Sequence, residues 1–418
     1  MDHAVNPELY EQNGPDALWR LMTRPAPSAE EWAEATRQAA ATLPTEARAH
    51  GDDIRSLLAM TLGEGRFGPR HWEPSAAQRM YYAVKPAVPR RLSHALRRAY
   101  GAHRASALQL QWPIEPRYVQ FQFETISQLL RITRRASVPF LNFWPAGRRY
   151  AFVLTHDVET GEGQRFVRAV ADLESALGFR SSFNFVPERY RLDRGLMDEL
   201  RAKGFEVGVH GLRHDGKLFF HRQEFMRQAS RINDYIREFD AVGFRAPLTQ
   251  RQPEWMQMLD IEYDSSFFDT DPFEPITGGA MSVWPYRLGH FVELPYTLVQ
   301  DHTLATILRE ATPRLWLDKV DFVREVHGMA LLCTHPDYLQ DPRTWRVYSE
   351  FLHVMRERDD YYHALPRDVA RWWRARSAAS AVEDLPGGTL AEIGQVDGSA
   401  MPSIEHRPLP ATRPDLTA

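Results

Sequence analysis

Between residues 148 and 376 the chain alternates short apolar runs with amphipathic stretches. The runs "YAFVLT", "SSFNFV", "FEVGVH", "AVGFRA", "IEYDSSF" and "MALLCTH" have the length and unbroken apolar character of strands buried on both faces. Between them apolar residues recur at helical spacing: Phe166, Val170, Leu173 and Leu177 form one stripe, and Phe225, Ala229, Ile232 and Ile236 another. "DRGLMDELRAKG" offers Asp193 as an N-cap and Gly204 just past a helix end, and "RLWLDKVDFVREVHG" reads as a further helix. This alternation predicts βαβ units and a parallel sheet, an α/β fold. Residues 267–297 break the rhythm, because "MSVWPYRL" and "FVELPYT" read as strands with no helix between them.

The flanks have a different texture. Residues 1–145 read as a mostly helical accessory region with proline-rich breaks. Within it, "SAEEWAEATRQAAATL" opens on Ser28 as a helix start. "PRRLSHALRRAYGAHR" places Leu92, Leu96 and Tyr100 on one face with arginines around the rest, the pattern of a solvated basic face. Residues 377–418 are rich in Ser, Ala, Gly and Pro and are predicted to be a disordered tail. The strand–helix zone, residues 146–376, is then the main domain.

Bulk composition narrows the function. A net charge of −4 over 418 residues removes the electrostatic case for nucleic acid. The single cysteine, Cys333, excludes an intramolecular disulfide and fits a reducing compartment. "MDHAVNPELYEQNG" lacks the apolar core of a secretory signal, and no apolar run approaches the roughly 20 residues that span a bilayer. A cytoplasmic protein without a transmembrane segment is the expectation; oligomeric state is not indicated.

The chemistry gathers where the apolar runs end. "AFVLTHDVETGEG" drives a buried strand into Asp157 and Glu159, "FEVGVHGLRH" into His210 and His214, "AVGFRAP" into Arg245, "IEYDSSFFD" into Asp264 and Asp269, and "MALLCTHPD" into His335. Buried charge without a partner is costly, so acids at these ends call for partners. Parallel sheets and barrels bind ligands at the carboxyl ends of their strands. An H-x-x-x-H pair alone means little, since about 0.6 such pairs are expected by chance at this histidine content. Its placement after a strand counts for more, and two imidazoles with one carboxylate make a catalytic zinc-type set. Alternation along the first strand turns His156 away from Asp157, a packing position. Cys333 shares a face with His335, which leaves a thiol nucleophile as an alternative to a small apolar filler. Asp271, Glu274, Glu293 and Asp301 are loop acids expected to border the site, with no catalytic part assigned.

In order, "LTHDVE", "HGLRH", "GFRAP", "DSSFFD" and "LLCTHPD" resemble the motifs of the polysaccharide deacetylases of the NodB-homology class, carbohydrate esterase family 4, over roughly residues 148–340. The resemblance implies an incomplete, distorted (β/α) barrel of about seven strands and metal-dependent removal of an acetyl group from a sugar or polysaccharide. Carried over residue by residue, it implies Asp157 as catalytic base, His210 and His214 as metal ligands, Arg245 as partner of the base and His335 as general acid. Leu332 is expected to line the acetyl pocket. The family's usual second aspartate is replaced by Val158, so the carboxylate ligand to a divalent ion, zinc by preference, is expected to be Glu159, with Asp157 itself as the other candidate. The residue types also leave two rivals: a metal-independent amide or ureide hydrolase on the same scaffold, and a non-catalytic glycan-binding protein.

Overall fold

The computed structural model describes residues 5–73, 109–394 and 402–406. The basic stretch around Leu92, Leu96 and Tyr100 lies outside the described residues. Strand β1 spans Ser137–Leu141 and β2 spans Tyr150–Val158. They are followed by β3 (Ser182–Phe185), β4 (Glu206–Val209), β5 (Gly243–Phe244) and β6 (Tyr263–Asp264). Next come β7 (Tyr286–Leu288), β8 (Phe291–Glu293), β9 (Met329–Thr334) and β10 (Tyr361–His363). Two short strands, β11 (Leu390–Gly394) and β12 (Ser403–His406), close the series.

Strands β2, β3, β4, β5, β6 and β8 pair in parallel in that order, and β9 lies parallel along the other side of β2. Past β8, Leu298 bridges to Leu332 of β9, and the Thr297 and Leu298 amides donate to the Leu331 carbonyl, which curls the sheet back on itself. Seven strands therefore make up the curled wall, as the motif pattern implied. Strand β10 and the antiparallel β7 extend it to nine. The β7–β8 hairpin is the irregular pair read between residues 267 and 297.

The helices follow their sequence signals. Ser28 caps Ala29–Ala39 in a reciprocal box with Glu31, and Asp193 caps Arg194–Ala202 by accepting from the Leu196 amide. Gly204 follows that second helix with φ +83°, a left-handed conformation that costs glycine least. The helix Arg222–Glu238 buries Phe225, Ala229, Ile232 and Ile236, the stripe seen in the sequence. No helix among the described residues is long and apolar enough to cross a membrane.

One expectation about the flanks needs correction. Part of the stretch assigned to a disordered tail from residue 377 is regular structure: β11 pairs antiparallel with β1 and with β12, burying Ala391 and Ile393. Composition missed this because β11 needs to bury only two apolar residues when β1 supplies its ladder of hydrogen bonds. The N-terminal region, in turn, is joined to the barrel through its core. Glu64 accepts two hydrogen bonds from Arg251, at 2.6 and 2.7 Å, with both side chains fully buried. Glu64 also accepts from the Gly279 amide at 2.7 Å. A bidentate, buried pair of this kind fixes the orientation of the two parts.

Candidate active site

Strand alternation decides which side chains of β2 can react. Thr155 and Asp157 face the inside of the curled sheet, whereas His156 faces outward to the helix Gly161–Leu177, where Glu174 sits 2.7 Å from its Nε2. Asp157 stands in register with Asn184 of β3, whose Nδ2 donates to Oδ1 at 3.0 Å. Gly208 is the next residue in that row on β4, and a Cβ there would overlap the Asn184 amide. The other oxygen of Asp157, Oδ2, faces Cys333 Sγ at 3.5 Å, Arg245 Nη1 at 3.7 Å and His210 Nε2 at 3.8 Å. Burial alone would raise this carboxyl, but the positive groups around it outweigh burial and hold it at about 2. His210, the largest of these influences, is itself pushed down to about 4 by burial; at pH 7 it is neutral, and Arg245 and His335 are then the charged neighbours of the ionised Asp157.

Arg245 follows β5 and is fully buried. Its Nε donates to Ser265 Oγ at 3.1 Å and its Nη2 to Thr155 Oγ1 at 3.0 Å, which aims the remaining Nη1 at Asp157. His210 continues from β4. Its Nδ1 lies 3.0 Å from the Arg245 carbonyl oxygen, so Nδ1 carries the proton and Nε2 presents a lone pair. That Nε2 is buried and has no hydrogen-bond partner. His214 sits one turn of loop further on, with φ +54°, after Gly211 at φ +60°. A side chain at Gly211 would run into the Pro247 ring, so glycine lets the loop fold close to Arg245 and Pro247.

Glu159 lies just past β2, and its backbone N–H donates to Asp337 Oδ2 at 3.0 Å. Its Oε1 is 3.0 Å from His214 Nε2 and 3.8 Å from His335 Nε2, and the side chain keeps 18% of its surface open to solvent. Ligand atoms of Glu159, His210 and His214 all lie within 4.8 Å of one another. Two imidazoles, one of them with an orphaned buried ring nitrogen, and one carboxylate are a donor set that fits a divalent cation such as zinc. Between the two carboxylates, Glu159 rather than Asp157 groups with both histidines. His335 follows β9; its Nδ1 is 2.7 Å from Asp301 Oδ1, and its amide donates to Asp301 Oδ2 at 2.9 Å. Burial would lower His335, but the Asp301 carboxylate outweighs it and raises the imidazole to about 10.

The structure thus brings Asp157, Glu159, His210, His214, Arg245 and His335 together. It sends the other strand-end acids elsewhere: Asp264 pairs with Ser266, and Asp269 forms a buried ion pair with Lys319 at 2.7 Å. Leu332 corrects an expectation. It stands in register with Leu154, on the face of His156 and Thr334, and so turns away from the cluster. Burial raises the Cys333 thiol well above its usual range, which disfavours the thiolate that nucleophilic attack needs. Asn184 is the contributor that sequence reasoning passed over, although a polar residue inside the apolar run "SSFNFV" was a signal for it. Asp301 was among the loop acids read from the sequence, but nothing near it in the chain gave it His335 as a partner.

No family model matches the chain, and no curated protein matches it. Among solved structures, the chain is similar to one described as "putative polysaccharide deacetylase from Mycobacterium smegmatis", at 20% identity and a TM-score of 0.47, covering 56% of this chain and 94% of that one. It is similar to Puue allantoinase at 15% identity and a TM-score of 0.43, covering 56% and 92%. A third, a CE4 family pseudoenzyme from Bacillus anthracis, shares 14% identity at a TM-score of 0.35 and covers 53% and 65%.

Proposed function

We propose that the chain is a hydrolase that removes an acetyl group, N-acetyl before O-acetyl, from a sugar or polysaccharide. In this reading Glu159, His210 and His214 hold a divalent cation, zinc by the donor set. The observation that carries it is the buried, unpartnered Nε2 of His210, grouped with Glu159 and His214, with Asp157 beside it and His335 beside Glu159. The order of the five sequence motifs supports the same reading.

When bound, the cation supplies Lewis acidity and brings the pKa of a water toward neutrality. Asp157 accepts the proton of the attacking water at Oδ2, the oxygen that Asn184 leaves free. Arg245 keeps that carboxylate ionised and, anchored by Thr155 and Ser265, keeps it in place. His335, held through Nδ1 by Asp301, gives its Nε2 proton to the sugar nitrogen as the C–N bond breaks. Without that proton an amine is a poor leaving group. Acetate and a free amino sugar are the products.

The deciding experiment measures acetate release from a panel of acetylated sugars, with and without a chelator. Release that a chelator abolishes and added zinc restores supports the proposal. Release that survives the chelator points to the metal-independent amide or ureide hydrolase. Glycan binding with no release points to a non-catalytic protein.

A further inference from the structure

The inner face of the barrel holds a second group of ligating side chains that the proposed reaction does not use as one. Asp157, Cys333 and His335 each bring one ligand atom, all within 4.8 Å of one another. We propose that these three residues form a second, weaker site for a soft divalent cation such as zinc or cadmium, and that filling it switches the enzyme off.

The placement follows from strand register. Thr155 of β2 faces Cys333 of β9, and alternation carries Asp157 and His335 to the same side two residues further on. Cys333 Sγ ends 3.5 Å from Asp157 Oδ2. Asp301 sits behind His335, bonded to Nδ1, which leaves Nε2 as the outward donor. A carboxylate behind a ligating imidazole orients the ring and raises its basicity, a common support for metal-binding histidines. Thiolate, imidazole and carboxylate together select zinc-like ions over magnesium or calcium, with a fourth position open.

This trio shares no side chain with Glu159, His210 and His214, yet the two adjoin. Asp157 Oδ2 is 3.8 Å from His210 Nε2, and His335 Nε2 is 3.8 Å from Glu159 Oε1. Three features make the second site the weaker one. Arg245 Nη1, 3.7 Å from Asp157 Oδ2, opposes another cation, and for the ion to bind, the Cys333 thiol and the Nε2–H of the His335 imidazolium must each release a proton to solvent. The inhibitory consequence rests on the function proposed above, because the ion would occupy the oxygen of the base and the nitrogen of the acid. The site itself does not depend on that reading.

The test uses the full-length chain, stripped of metal and titrated with zinc alone against a chromophoric chelator, then separately with cadmium. Wild type should take up two equivalents of zinc, the second weaker, and cadmium should produce the ultraviolet absorption of a thiolate–cadmium bond. Cys333→Ser should take up one equivalent and show no such absorption. His210→Ala should keep the cysteine-dependent equivalent. Acetate release by wild type should fall in excess zinc, and Cys333→Ser should need roughly tenfold more zinc for the same loss. A single equivalent in wild type, a second equivalent unaffected by Cys333→Ser, or no cadmium–thiolate absorption in wild type would overturn the proposal. A cysteine-dependent equivalent in a chain that releases no acetate would uphold this site while removing the deacetylase reading.

Discussion

Two histidine–carboxylate groups flank the C-terminal end of β2, one on each face, and they differ in how completely they are bonded. On the outer face, His156 meets Thr334 Oγ1 through Nδ1 and Glu174 through Nε2, both at 2.7 Å. Glu174 also accepts from Ser181 at 2.6 Å and from Tyr348 at 2.5 Å, and the imidazole stacks on Phe183. On the inner face, His210 Nε2 and Arg245 Nη1 have no hydrogen-bond partner, and the groups around Asp157 Oδ2 stand back at 3.5 to 3.8 Å. Both groups are buried, so burial of charge does not separate them. Completeness does: a satisfied network holds elements together, whereas aligned but unpaired groups leave room for a reactant.

The comparison can be broken by substitutions on either side. The largest effect belongs to His210→Ala, which should remove the stoichiometric metal and, with it, measurable acetate release, while the melting temperature stays close to that of the metal-free wild type. Metal analysis beside a melting curve checks this; full metal content in the variant would refute the ligand set. Asp157→Asn should keep the metal and lose activity by about 10²–10⁴. Equal rates for variant and wild type would remove the base assignment.

On the outer face, Glu174→Ala should do the reverse. It strands His156, Ser181 and Tyr348 in the interior and should cost about 3–5 kcal/mol of stability in denaturant titrations, with metal content unchanged in the folded fraction. A loss below about 1 kcal/mol would mean that the outer network is not a structural one.

Asp301→Asn sharpens the inner side. Asp301 is what raises His335, so its removal should move the alkaline limb of the rate profile to lower pH. The acid must be protonated to act, and a lower pKa empties it earlier as pH rises. An unmoved alkaline limb would take the acid role from His335.

The smallest effect concerns Glu206, where β4 begins. It accepts from Tyr263 at 2.8 Å, yet burial still raises its carboxyl from 4.5 to about 7. The folded protein then binds a proton that the unfolded chain has lost between those two values. Stability should therefore fall by up to about 3 kcal/mol as pH rises from 4.5 to 7 and level off above it. Glu206→Gln should flatten that part of the curve, and an unchanged slope would show that Glu206 is ionised in the fold.

The legible parts of this protein are those with a local cause. The stripes on the helix Arg222–Glu238, the caps at Ser28 and Asp193 and the apolar runs ending in Asp157, His210 and His335 could all be read from neighbours a few residues away. The illegible parts arise from pairs distant along the chain. Asp301 and His335 are 34 residues apart, Asn184 and Asp157 are 27, and Glu64 and Arg251 are 187. Strand β11 was missed for the same reason: its partner β1 lies far earlier in the chain, at Ser137–Leu141.

Period-2 and period-3.6 patterning, with the residue types at strand ends, was enough to determine an α/β sheet with ionisable side chains along one rim. Register and curvature decided the rest. They grouped Glu159 rather than Asp157 with both imidazoles and sent Asp264 and Asp269 to other partners. Local periodicity sets which face of an element a residue occupies. What that face meets depends on how strands far apart in sequence align, and a shift of one residue in that alignment would exchange every inner side chain for an outer one.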